Sequence, residues 1–543
     1  MSQRAAPTRV DRHFALYRFG SCSGTLAQRL AENSRRVMPI LHRRELLVGG
    51  LTLPLLSLPI AGHARAAIPD TSFQTLLRPT VHSGQERWSL QARMQHHHVP
   101  GVAVAILRDG RIHSSTCIGS KQAGRHWPIG EDTLFSVGSV SKVVTAALCV
   151  KLAALGIVDL EKDVGTWLRR WKIPPGLDGD SGKICLRMLL SHTAGFNVHG
   201  FQDFDPGAAL PTLVQTLTGT SPAVNAPLQR IDIAGTRARY SGGGYMIAQA
   251  VIEDAVGKPL PAIASEYLLG PLGMRRSRFA ASLPADTRDV AHAHDDAGAP
   301  VALPRGWQSF PELAASGFWT CARELGHFVI ALGDSYRRGD GWLPQELAID
   351  MMTEVSPSIH GLGPRLAGLG QSRMFHHAGA NDSYKAYLEG HLESGDGLIV
   401  LTNGENGDLL HNEIRNAVSD SLHWPGDWSV QVSKVDITPV MQQYEGRYVR
   451  QPNQQPLLTG ALDMILFDDD IVISYKSGEL ELNVRNKRRS LKPVTSHRFV
   501  VAEASLPAAT LQLQFDRGSD RRVATLRVIA GESLMVFERS QQG

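Results

Sequence analysis

Two strand-like patterns, one on each side of a long helical stretch, limit what this chain can fold into. At the front, "GVAVAILRDGRIHSSTCIGS" (residues 101–120) reads as an apolar run, an Asp109-Gly110 turn and a second, alternating run. That is the signature of a β-hairpin. Some 250 residues later, "MFHHAGANDSYKAYLEG" and "DGLIVLTNG" return to strand patterns. Between them, apolar residues recur at helical spacing, separated by Gly- and Pro-containing loops. Such an order predicts an α/β body whose sheet joins the two ends of the segment. A helix is expected over Gln85–His98. Another is expected after residue 139, where Val143, Ala146, Ala147, Val150 and Leu152 share a helical repeat and Gly156 offers a stop.

The pattern changes near "HWPGDWSVQVSK". Beyond Tyr444 short alternating runs take over: "LDMILF", "DIVISY", "LELNVR", "RFVVAE", "TLQLQF", "VATLRV" and "SLMVFE". Their regular spacing predicts an all-β barrel or sandwich, with a boundary near residue 435. At 543 residues the chain has room for both parts.

Residues 1–66 are expected to form a leader. They hold ten Arg and three acids, a net +7; removing it from the formal +4 leaves −3 on the remainder. A basic protein directed at nucleic acid is therefore not supported. The stretch "LHRRELLVGGLTLPLLSLPIAGHARAAIPD" has a basic start, a short apolar run and the small-residue pattern Ala64-Arg65-Ala66. It is expected to be an export signal peptide, with Arg43-Arg44 suggesting the twin-arginine type and Met38 an alternative start. The protein is then exported, to the periplasm of a two-membrane cell, and meets a membrane only through this signal. An uncleaved anchor is the alternative, disfavoured by Pro54, Pro59 and the shortness of the run. Beyond the leader, Cys117, Cys149, Cys185 and Cys321 form no C-x-x-C pair; buried free thiols are expected. No metal and no cofactor is implied.

"FSVGSVSKVV" places Ser136, Ser139 and Ser141 ahead of Lys142. A serine hydroxyl needs a base before it can act as a nucleophile. Residues three apart share a helix face, so helical spacing selects Ser139 as the hydroxyl that Lys142 can reach. Of twelve lysines, Lys142 alone has a serine three positions before it. The pattern is S-x-x-K, weak by itself, since an N-capping serine beside a solvated lysine looks the same.

Further along, "RARYSGGGYMIAQAVIE" puts Tyr240 in a glycine-rich loop before a helix, and "FHHAGAND" supplies His377-Ala378-Gly379. With "PGVAVAILRDG", "DTLFSVGSVSK", "LRMLLSHTAGF", "LGPLGM", "AASGFWTCARELGHF" and "LIVLTNG" in order over residues 100–405, the sequence resembles the serine β-lactamase-like hydrolases. Class C β-lactamases, related esterases, D-aminopeptidases and penicillin-binding carboxypeptidases are the nearer branches. The later β segment, opening on "YEGRY", resembles the lipocalin-like barrel that often follows them. The resemblance implies an antiparallel sheet flanked by helices, a mainly helical subdomain and a following barrel. It implies Ser139 as nucleophile and Lys142 with Tyr240 as acid and base, their order left open. It also implies His377 at the third motif, beside substrate, and an oxyanion hole from the backbone N–H groups of Ser139 and Ala380, next to Gly379. The substrate would be a small ester, amide or peptide. One position departs: the family's second motif is usually Tyr-x-Asn, and this chain reads Tyr240-Ser241-Gly242. Without that amide, ester or peptide substrates are expected ahead of β-lactams. A non-catalytic, penicillin-recognising or ligand-binding sensor on the same fold is the alternative.

Several residues invite competing readings. Tyr245 is expected in the core, His376 off the strand face opposite His377, and His192 in a structural role. Phe318 and Trp319 suit either core or pocket. His96-His97-His98 suits a solvated patch better than a metal site.

Overall fold

The computed structural model describes residues 72–177, 182–339, 341–426, 428–434, 438–452, 454, 470–484, 487–501, 510–530 and 533–540. The expected leader, the run "LDMILF" and the expected boundary at 435 lie outside them. Among the described residues no helix is long and apolar enough to cross a membrane.

The expected hairpin forms from β1 (Gly101–Arg108) and β2 (Arg111–Gly119). Asp109 and Gly110 both take positive φ, 52° and 72°, the backbone a two-residue turn needs to match the strand twist. The later strands are β3 (Arg365–Ala367), β4 (Met374–Asn381), β5 (Tyr384–His391) and β6 (Gly397–Thr402). They join the hairpin in one six-stranded sheet of order β2-β1-β6-β5-β4-β3, antiparallel at every pairing. The sheet thus closes the chain's two strand regions onto each other through β1 and β6.

Both faces of this sheet are covered, which is why β1 and β6 read as nearly continuous apolar runs. Val102, Val104, Ile106, Leu398 and Val400 pack on one side against α1 (Leu90–His96) and Ile414 and Val418 of α5 (Gly407–Leu422). Ala103, Ala105, Leu107, Ile399 and Leu401 face the main core, which includes α4 (Ala322–Arg337) and α2 (Val140–Ala154). Helix α2 is buried on nearly every side, so its sequence is apolar all round rather than striped. It ends at Ala154, with Gly156 at φ 69° just beyond. Helix α1 is shorter than the expected 85–98. Glu86 takes the backbone N–H groups of Ser83 and Gln85 in a turn, and Ser89 then caps the helix by accepting from Ala92.

The C-terminal part is a closed barrel of eight antiparallel strands, each paired with the next. They are β7 (Gly446–Arg450), β8 (Asp470–Lys476), β9 (Glu479–Val484), β10 (Lys487–Pro493), β11 (Arg498–Val501), β12 (Leu511–Arg517), β13 (Val523–Ala530) and β14 (Ser533–Arg539). Pairing of β7 with β14 closes it. Tyr448, Phe499, Phe515 and Phe537 are among the side chains that fill the inside.

Candidate active site

Ser136 belongs to a two-residue strand that pairs with Phe318–Thr320. The chain then turns through Gly138, at φ 47°, into α2. Ser139 stands at the N-cap, yet its side chain makes no capping bond, which leaves Oγ available. Lys142 Nζ donates to that Oγ at 3.0 Å and to Ala315 O at 2.8 Å. The other two serines are committed elsewhere. Ser141 Oγ donates to Gly138 O and accepts from Phe318 N, while Ser136 Oγ accepts from Asn381 Nδ2.

Lys142 is 2% exposed. Burial pushes its pKa below the usual lysine value; the charge and hydrogen bond of Tyr240 oppose this, and the Arg365 guanidinium adds to it. Its Nζ lies 5.1 Å from the centre of the Tyr240 ring. Tyr240 comes just ahead of α3 (Gly242–Val256), whose N-cap Ser241 accepts from Gly244 N. Ser241 N in turn donates to His192 Nδ1 at 3.1 Å, and the His192 ring stacks on Tyr240 with centroids 4.2 Å apart. His192 therefore positions the tyrosine loop. Burial, then the Lys142 and Arg365 charges, hold its pKa well below the usual value, so the ring is neutral.

The second wall is the edge of β4. Strand β3 pairs with β4 only from Met374 to His376, and among the described residues no strand covers the edge beyond. The start of α2 comes up against it. A Cβ on Gly379 would lie 1.9 Å from Val137 O, and one on Gly138 would lie 2.7 Å from the Ala380 backbone. Only glycine at both positions allows this approach. It brings Ser139 and Ala380 into the wall of one cavity of about 350 Å³, with Lys142, Tyr240, Arg365 and Gly379. Among the described residues, none from the barrel lines it.

His377 does not line the cavity. Its ring is buried, 6.3 Å from that of Tyr240, with Nδ1 against Ala378 O at 2.6 Å and Nε2 without a partner. Burial, Arg365 and Lys142 keep its pKa well down. His376 takes the opposite face, near Tyr387. Tyr245, Phe318 and Trp319 are core residues, Tyr245 donating its hydroxyl to Leu190 O. All four described cysteines are free thiols. Among the described residues no cluster of His, Cys, Asp or Glu is arranged to hold a metal ion.

Residues the motifs do not announce complete the site. Arg365 enters from β3 with its guanidinium 5.9 Å from the Tyr240 ring centre. It makes no ion pair among the described residues, and its Nε is buried without a partner. His360 packs edge-on against His192. Lys142, Arg365 and the neutral imidazole of His192 thus lie about the Tyr240 ring beside Ser139, and Asp408 is a carboxylate among the residues that line the cavity.

A family model described as beta-lactamase matches residues 89–420. The chain belongs to the beta-lactamase family. Within that family it is 29% identical over 216 residues to the esterase EstB of Burkholderia gladioli, covering 38% of this chain and 53% of the relative. It is 31% identical over 248 residues to a beta-lactamase of Lysobacter lactamgenus, covering 44% and 57%. A D-aminopeptidase of Cereibacter sphaeroides is 28% identical over 198 residues, covering 35% and 34%. The chain spans about half the length of the first of these relatives. Among solved structures, the octameric penicillin-binding protein homologue from Pyrococcus abyssi superposes with a TM-score of 0.50 at 18% identity, covering 82% of this chain and 98% of that one. The hydrolase EstCE1 gives 0.50 at 20% identity over 60% and 96%. Both likenesses bear on fold.

Proposed function

We propose that this protein is a serine hydrolase that cleaves an ester or amide through an acyl-Ser139 intermediate. The observation that carries the reading is Lys142 Nζ, buried and 3.0 Å from an uncommitted Ser139 Oγ. Burial lowers the pKa of Lys142 and so favours the neutral form that can accept a proton. It takes the Ser139 proton as Oγ bonds to the substrate carbonyl carbon. The carbonyl oxygen becomes an oxyanion, met by the N–H groups of Ser139 and Ala380. Fixed donors of this kind are worth about 2.7–4 kcal/mol each. As the tetrahedral species collapses, the bond to the leaving group breaks and that group receives the proton from Lys142, with Tyr240 relaying it. Water then attacks the acyl-enzyme by the same proton route, releasing the acid and restoring Ser139.

The branch proposed is esterase- or peptidase-like, supported by Gly242 where an amide side chain is usual. A panel of short aryl esters, nitrocefin and D-amino-acid amides tests it. Turnover of esters above nitrocefin supports the branch; efficient nitrocefin hydrolysis overturns it. Acylation without turnover of any member would instead favour a sensor. We also infer export, from Arg43-Arg44, the apolar run and Ala64-Arg65-Ala66. Fractionation of cells expressing the full chain and a form lacking residues 1–66 checks it; equal cytoplasmic retention of both contradicts it.

A further inference from the structure

Gly242 is more than a missing amide. It opens α3, and its backbone N–H donates to His199 O at 3.0 Å. Gly243 N donates to Val198 O, and Ser241 Oγ to Asn197 O. These bonds fold the loop over residues 197–201 tightly onto the start of the helix. A Cβ at Gly242 would lie 2.9 Å from Phe201 Cε2 and 3.2 Å from His199 O. The Phe201 ring therefore occupies the space that a side chain at 242 would enter. Phe201 is half-buried and lines both the Ser139 cavity and a neighbouring cavity of about 490 Å³. The two cavities also share Ala380, Asn381, Lys385 and Asp408.

We propose that Phe201, admitted by Gly242, sets acyl-group specificity: the site takes acyl groups that present a flat apolar face, such as arylacetyl groups, and rejects acylamino groups. This rests on the acyl-Ser139 reading. The physical reason is direct. An aromatic ring stacks on an aryl or alkyl group but offers no in-plane hydrogen bond, so an amide pressed against it loses water without a replacement partner. Residue 242 cannot restore that partner alone, because any side chain there meets Phe201 first.

The test compares p-nitrophenyl phenylacetate with the p-nitrophenyl ester of N-acetylglycine, using p-nitrophenyl acetate as the common reference. The leaving group is held constant, so the kcat/KM ratios report the acyl group. The full-length parent is expected to prefer phenylacetyl over N-acetylglycyl by about tenfold or more. In Phe201→Ala the phenylacetate-to-acetate ratio falls about tenfold. Phe201→Leu, which keeps an apolar side chain of similar bulk, gives an intermediate fall and covers the case in which the alanine variant does not fold. Phe201→Ala/Gly242→Asn raises the N-acetylglycyl-to-phenylacetyl ratio above that of Phe201→Ala, whereas Gly242→Asn alone does not raise it above the parent. Unchanged ratios in both Phe201 variants overturn the inference while leaving the acyl-Ser139 reading standing. If the parent hydrolyses none of the three esters and a fluorophosphonate leaves Ser139 unlabelled, both fall.

Discussion

On the acyl-Ser139 reading, Gly379→Ala is the smallest change that separates the proposed nucleophile from its proposed oxyanion donors. The added Cβ would sit 1.9 Å from Val137 O and 3.0 Å from Val140 N. Real Cβ atoms do not approach backbone oxygen that closely, so the β4 edge and the start of α2 must part by about 1 Å or more. Val137 O also accepts from Val140 N in the turn that carries Ser139. Whichever side gives way, the Ala380 N–H no longer shares its aim with the Ser139 N–H. Losing one such donor costs about 10²–10³ in kcat, and a 1 Å misplacement alone costs about 10². Overpacking adds about 1–3 kcal/mol of destabilisation. The assay is kcat and KM on p-nitrophenyl acetate together with a melting curve, which excludes unfolding at the assay temperature. Gly130→Ala is the control, because its Cβ would meet only Thr133 Oγ1, at 3.7 Å. A Gly379→Ala enzyme within threefold of the parent would refute the argument that this glycine-mediated approach builds the oxyanion site.

Lys142 makes the acid limb of the pH–rate profile diagnostic. With its pKa pushed down chiefly by burial, kcat/KM rises with pH on a limb centred below the ordinary lysine value of 10.5; a limb centred at or above 10.5 contradicts a buried neutral base. Glu312 is 2% exposed, and burial pushes its pKa up to about 8. The unfolded chain ionises near 4.5 while the folded one holds the proton, so stability falls between pH 4.5 and 8 and is level above. At pH 7 the cost is roughly 3 kcal/mol at 1.36 kcal/mol per pH unit. Glu312→Gln should therefore raise Tm at pH 7.5 and leave it unchanged at pH 4; the same difference at both values refutes this. His192→Phe keeps a ring against Tyr240 but leaves Ser241 N–H without its acceptor. It is expected to lower kcat about tenfold with KM little changed, and a KM effect alone would argue against a positioning role.

The sheet was legible in the sequence because a strand buried on both faces has little freedom in composition. Val102 to Leu107 and Leu398 to Leu401 can be little else once Asp109-Gly110 marks a turn. Ser139 and Lys142 were legible through helical spacing, and Gly138 and Gly379 stand in the two motifs that touch. The surroundings of Tyr240 were not legible. His192 and Phe201 come from one stretch, His360 and Arg365 from another in which they bridge each other, and both reach Tyr240 only in the folded chain, so no local pattern marks the set. His377 was expected beside substrate on the strength of its motif, whereas its ring is enclosed by neighbours that the motif does not specify. The barrel showed the same limit in β10, "KRRSLKP", whose charged residues hide the inward Leu491. Phe318 and Trp319 could be wall or core on sequence alone; pairing with Phe135–Ser136 places them in the core.

The central claim is a covalent bond at one serine. Rapid-quench mass spectrometry of the intact protein with p-nitrophenyl phenylacetate reads it directly. The account predicts a transient mass increase of one acyl group, mapped by peptide digestion to Ser139, absent in Ser139→Ala and retained in Ser136→Ala and Ser141→Ala. An acyl adduct that persists in Ser139→Ala, or turnover in that variant at the parent's rate, would contradict it.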